Sequence, residues 1–177
     1  MIKTAKALHK IRAGSEPAYS IVYTDTNGYQ WYTNGAVAIT NSPTPGIPYT
    51  VASRLYLGKD KNCTANFDKI YYVFAKEIGQ RIIGNSDLYQ YLAPFKKTEE
   101  PLLRFHLDGT VSVETENNDI GLTYSEESFT VSHEITIDAR YLDVLQPIEI
   151  YEVNNFPAIC GTTKTGLSFM VAEIKDK

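Results

Sequence analysis

The 177 residues are 43% hydrophobic and 21% charged, the balance of a globular chain long enough to bury well over half its surface. A net charge of −4 argues against strong attraction of the whole molecule to nucleic acid or membrane, and no run approaches the ~20 apolar residues of a membrane span. Two cysteines, Cys63 and Cys160, are too few for a disulfide framework; they read as reduced thiols of a cytoplasmic chain, with a single bridge between them as the alternative.

Taken in chain order, Thr4 to Ala13 read as a short helix: Thr4, Leu8 and Ile11 recur at helical spacing, Ala5 and Ala7 are good helix formers, and Gly14 supplies the stop. Lys3, Lys6 and Lys10 share a second face, so one side is apolar and the other basic. No apolar run follows these lysines, which speaks against a secretory signal peptide. Tyr19–Tyr23 and Tyr29–Tyr32 read as strands joined by Asn27-Gly28, a tight hairpin signal, and Asn34-Gly35 leads into a third strand over Ala36–Ile39. Pro43, Pro45, Gly46 and Pro48 mark a loop, and Val51–Leu57 a strand. Residues 67–78 fit both a helical stripe and a strand; the strand reading is preferred for 70–75.

Leu88, Leu92 and Phe95 mark a second helix over Ser86–Phe95, capped by Asn85 or Ser86. Leu102–Leu107 and Thr110–Thr115 flank Asp108-Gly109, another hairpin. Ile120–Tyr124 and Phe129–Ile137 follow as strands, the second placing Val131, His133, Ile135 and Ile137 on one face. Asp138 caps a short helix over Ala139–Leu145, closed by Pro147, and strands at Ile148–Val153, Ala158–Gly161 and Leu167–Ile174 complete the chain. A short helix followed by tightly turned strands thus occurs three times. The fold class is α+β, antiparallel sheets with short helices in repeated helix-plus-strands units.

No nucleophile-elbow, zinc-protease, phosphate-loop or dinucleotide pattern is present, and no cofactor or metal is implied. His9, His106 and His133 lack partners at metal-ligand spacing and read as structural. Gly161 to Gly166 resembles a phosphate loop, but a strand follows it and a hairpin turn is the better reading. Glu114, Glu116, Asp119, Glu126 and Glu127 could serve glycoside or calcium chemistry; the alternation of Glu114 and Glu116 with Val111 and Val113 reads more simply as a solvated strand face. Lys3, Lys6, Lys10, Arg12, Lys96, Lys97 and Arg140 are helix-borne or helix-adjacent cations. The plain reading is ordinary solvent-facing side chains, the sharper one a surface for a phosphate backbone.

The stretch Ile135-Thr136-Ile137-Asp138-Ala139-Arg140-Tyr141-Leu142-Asp143-Val144-Leu145 resembles the last domain of bacterial DNA polymerase processivity clamps, the polymerase III beta sliding clamps. There a strand runs into a short helix with a Tyr-Leu pair. Pro147–Val153, Phe156-Pro157-Ala158-Ile159 and Phe169-Met170-Val171 are similar to its later strands, and Tyr32-Thr33-Asn34-Gly35-Ala36-Val37-Ala38 resembles a strand-turn element in which Asn34 stands where the family has an acid. The resemblance covers residues 100–174 and, faintly, 1–40. The family's final Met-Pro-Met-Arg-Leu is represented by Met170-Val171-Ala172-Glu173-Ile174, which departs from it.

The resemblance implies a non-enzymatic, shortened clamp, of phage or mobile-element type. Residues 1–84 would form a partial clamp-like domain and 85–177 a C-terminal one. It implies helices facing double-stranded DNA through Lys3, Lys6, Lys10, Arg12, Lys96, Lys97 and Arg140, a partner-binding place at Met170 and Val171, contacts with replication proteins, and assembly of several copies. The competing readings are a protein-interaction or structural module without DNA binding, and an enzyme using the acidic cluster.

Overall fold

A computed structural model describes residues 1–11, 21–43, 50–58, 78–84, 88, 92, 100–115, 118–122 and 130–174. Helix α1 (Ile2–Ile11) leads into strands β1 (Ile21–Asp25), β2 (Gln30–Thr33), β3 (Val37–Thr40) and β4 (Val51–Tyr56). Strands β5 (Ile78–Gly84), β6 (Leu102–Phe105), β7 (Val111–Thr115), β8 (Asn118–Leu122) and β9 (Ile135–Asp138) follow, then helix α2 (Ala139–Leu145) and strands β10 (Pro147–Val153), β11 (Ala158–Thr163) and β12 (Ser168–Ala172).

The hairpins are set by their turns. Gly28 and Gly35 both sit at φ +86°, a conformation that a Cβ would strain. Each turn is also held by a side chain. The Asp25 carboxylate accepts from the Asn27 and Tyr29 backbone N–H groups at 2.9 Å and from Trp31 Nε1 at 3.0 Å. Asn34 Oδ1 accepts from the Ala36 and Val37 N–H groups at 3.1 and 2.9 Å, and Asp108 Oδ1 from Thr110 N–H at 2.9 Å.

The strands form an eight-stranded sheet, ordered β4-β1-β2-β3-β12-β11-β10-β5, and a four-stranded sheet, ordered β8-β7-β6-β9, with every pairing antiparallel. Two of the units exchange their leading strands. β9 precedes α2 but pairs with β6, and β5 precedes the stretch holding Leu88 and Leu92 but pairs with β10. β5 lies on the N-terminal side of the 84/85 boundary and β10 on the other, so a ladder crosses that boundary. One core runs between the helices and both sheets: Leu8, Tyr32, Ile39, Leu103, Phe105, Ile135, Leu142, Ile150 and Phe169 all belong to it. Gly161 allows β10 to approach β11 closely. A Cβ there would lie 1.9 Å from Glu149 O and 2.9 Å from Phe169 Cζ.

Three readings change. β5 is a strand that propensity hides, because Gly79 and Gly84 interrupt it. Gly79 sits where a Cβ would meet Asn154 Oδ1 at 2.6 Å. The strand expected over 129–137 begins only at Ile135, because Ser132 N–H bonds the Glu152 carboxylate at 2.6 Å rather than continuing a ladder. His133 therefore lies outside the strand and is exposed, while Ile135, Thr136, Ile137 and Asp138 are all buried. His106 likewise sits just past β6, at the β6–β7 turn. The strand expected at 70–75 lies outside the described residues, as does most of the Ser86–Phe95 helix. Leu88 and Leu92 are described and buried.

Candidate nucleic-acid interface

The periodicity of α1 divides it cleanly. Ala5 and Leu8 are completely buried, and Ile11 packs against the same core. Burying a leucine of this kind stabilises by roughly 1.5–3 kcal/mol. Lys3, Lys6 and Lys10 are exposed and make no ion pair among the described residues. The first turn holds no acid, and His9 and Lys10 stand in the last turn, where positive charge complements the helix dipole.

Asn34 fixes the helix in place. Its Oδ1 closes the β2–β3 turn while its Nδ2 donates to Leu8 O at 3.2 Å and to the Tyr141 hydroxyl at 3.4 Å. Wholly buried, it joins α1, the β2–β3 turn and α2 through one side chain. Tyr32 lies beside this group, and burial together with Tyr141 pushes its phenol above the ordinary value.

α2 packs against α1. Its N-cap is Asp138, whose Oδ1 accepts from Arg140 N–H at 3.0 Å. The same carboxylate holds the Arg140 guanidinium at 2.9 and 3.1 Å through Nε and at 2.6 Å through a terminal nitrogen. These bonds to Asp138 raise the guanidinium pKa above its ordinary value. The helix ends at Gln146, left-handed at φ 49°, whose N–H returns to Leu142 O. Between the helices lies a shallow, mainly apolar recess of about 120 Å³ lined by Ile11, Leu92, Pro101, Ala139, Arg140 and Val144, among others. α1, α2 and Leu92 therefore border one face of the molecule.

Arg12, Lys96 and Lys97 lie outside the described residues. Met170 and Val171 are both buried, on opposite sides of β12. Val171 joins the main core, and Met170 packs with Val153, Ala158 and Cys160. Cys160 is a free thiol that burial pushes up to about 12, so it stays protonated at neutral pH; Cys63 lies outside the described residues. Within the acidic stretch, Glu114 is half-exposed and bridged to Arg104 at 3.2 Å, in keeping with a solvated strand face. Among the described residues no three His, Cys, Asp or Glu side chains are placed to hold a metal, and no helix is long and apolar enough to cross a membrane.

No family model matches the sequence, and no curated protein matches it significantly. Solved structures do, across 99% of the chain. A putative DNA polymerase III beta subunit from Eubacterium rectale superposes with a TM-score of 0.60 at 9% identity, and the DNA polymerase III beta chain of Streptococcus pneumoniae with 0.57 at 12%. The chain has the sliding-clamp fold. A Helicobacter pylori beta clamp bound to a DNA ligase peptide is similar at a TM-score of 0.52 and 11% identity. This clamp-fold chain spans 63% of the first two structures and 64% of the third.

The sequence missed two features of this face. Asn34 read as a turn residue and as the stand-in for the family's acid, although its amide can donate as well as accept. Arg140 read as a DNA-facing cation, although Asp138 two residues earlier was already assigned as the cap and carries a second oxygen for it.

Proposed function

We propose that this is a non-enzymatic, clamp-like DNA-tracking protein of the cytoplasm, whose helix-bearing face meets the phosphate backbone of duplex DNA without reading bases. The observation that carries the reading is α1. Three exposed lysines follow one helical face, opposite a face that is buried, in a chain whose net charge is −4. A basic stripe on an acidic molecule concentrates its positive potential where a polyanion can lie against it. In this reading Lys3, Lys6 and Lys10 make the principal contacts and Arg12, Lys96 and Lys97 extend them. Arg140 contributes less, because Asp138 already neutralises it. Residues 1–84 act as a partial clamp-like domain and 85–177 as a second. Met170 and Val171 mark the place where a replication protein would bind, and several copies assemble around the duplex.

Two duplexes of unrelated sequence should bind equally well at low salt, and Lys6→Glu with Lys10→Glu should weaken both by about tenfold or more. Fluorescence anisotropy measures this. Failure to bind either duplex at low salt, or equal binding by the double variant, contradicts the proposal.

A further inference from the structure

Among the described residues, Glu100, Gln146 and Asn155 are the residues other than glycine that stand at positive φ. Two of them have a local reason. Gln146 ends α2, and its N–H returns to Leu142 O. Asn155 lies in the β10–β11 turn, and asparagine tolerates the left-handed region better than most residues. Glu100 has neither reason. It stands at φ 44° directly before Pro101, where extended backbone is favoured. Among the described residues it caps no helix and closes no hairpin. Its side chain is exposed, so burial does not account for the strain either. A strained backbone persists only where its surroundings dictate it, and such places cluster at functional sites.

The surroundings of Glu100 are the start of α2. Pro101 O accepts from Ala139 N–H at 2.8 Å, so the residues next to Glu100 and Arg140 are bonded to each other. Pro101 and Arg140 also line one recess, which Ile11 joins to α1. The hydrogen bonds to Asp138 raise the Arg140 pKa most, and the charge of Glu100 raises it further. Arg140 is therefore held by two acids, Asp138 through hydrogen bonds and Glu100 through charge, beside the helix that carries Lys3, Lys6 and Lys10.

We infer that Glu100 is an autoinhibitory contact: the left-handed backbone keeps its carboxylate beside Arg140, and this holds the affinity of the helix face for duplex DNA below what its cations would supply. A phosphate must compete with Glu100 for the guanidinium and also meets its negative charge. The inference rests on the DNA reading of this face. Glu100 acts through Arg140, and that dependence separates it from a stray surface acid.

The test is a double-mutant cycle on duplex affinity at low salt, read by fluorescence anisotropy. Glu100→Gln should tighten binding about threefold, the size of an exposed ion pair, and the gain should vanish in an Arg140→Gln background. Glu100→Gly should tighten binding equally and also raise the urea midpoint, because glycine adopts positive φ freely. Unchanged affinity in Glu100→Gln, or the same gain with Arg140 replaced, overturns the inference. A midpoint lowered by Glu100→Gly overturns the strain on which it stands. A parent chain that binds no duplex removes the DNA reading and this inference together, whereas duplex binding indifferent to Glu100 removes this inference alone.

Discussion

Helices α1 and α2 pack against each other and share one core, yet they hold their cations differently. α1 leaves Lys3, Lys6 and Lys10 exposed with no ion pair among the described residues, while α2 ties Arg140 to its own N-cap at 2.6 Å. α1 is docked by Leu8, Ala5 and the Asn34 bridge, so its charges are not needed to hold it in place. In α2 the single cation belongs to the cap and helps hold the start of a helix only seven residues long. A repeated unit therefore does not imply a repeated role. Where apolar and backbone contacts suffice to dock a helix, its charges remain available to a ligand.

The largest effects come from cutting either helix loose. Leu8→Ala and Leu142→Ala each remove a completely buried leucine and should each cost roughly 2–5 kcal/mol in urea unfolding. At a temperature where both variants stay folded, only Leu8→Ala should weaken duplex binding, since only α1 carries exposed lysines. Equal losses of binding would erase the distinction between the helices.

Asn34→Asp keeps the shape but replaces the donor to Leu8 O with a buried carboxylate, and should cost about 1–3 kcal/mol at neutral pH. Burial favours the neutral acid, so the folded-state pKa of the new carboxyl lies above its unfolded value. The deficit should shrink as pH falls through the folded pKa and be smallest below the unfolded one. Thermal unfolding across pH reads this directly; a deficit that grows on acidification contradicts the assignment of Nδ2 as the donor.

Asp138→Ala should cost about 1 kcal/mol through loss of the cap. It also releases Arg140 and removes a carboxylate, so α2 comes to resemble α1. Duplex binding should strengthen severalfold in anisotropy while the unfolding midpoint falls; unchanged binding would separate Arg140 from the interface. The smallest stability effect belongs to Lys6→Glu with Lys10→Glu, which should shift unfolding by no more than about 0.5 kcal/mol because both side chains are exposed. A larger loss, seen in the same urea titration, would give the lysines a structural role.

Local chemistry made much of this fold legible. The Asn27-Gly28, Asn34-Gly35 and Asp108-Gly109 turns, the Asp138 cap and the two faces of α1 all depend on neighbours within a few residues. What depended on distant partners was hidden. β5 is broken by Gly79 and Gly84 and carries Gln80 and Arg81 at its middle, and it becomes a strand because β10 lies beside it. The segment 129–134 has strand propensity, yet Glu152, twenty residues later, draws Ser132 out of the ladder. The exchange of β5 and β9 between units leaves no trace in composition. At the candidate interface the lysine stripe was readable from periodicity. Which cations were already committed was not, because the Arg140–Asp138 fork and the Asn34 bridge are facts of side-chain geometry.

The claim that α1 presents its charge to DNA is tested most directly by salt. The affinity of the parent chain for duplex DNA, measured from low to moderate salt, should fall linearly on a log–log plot, and Lys3→Gln with Lys6→Gln and Lys10→Gln should reduce that slope by about 3. A triple variant with the parent's slope, or a parent whose affinity ignores salt, would contradict the account.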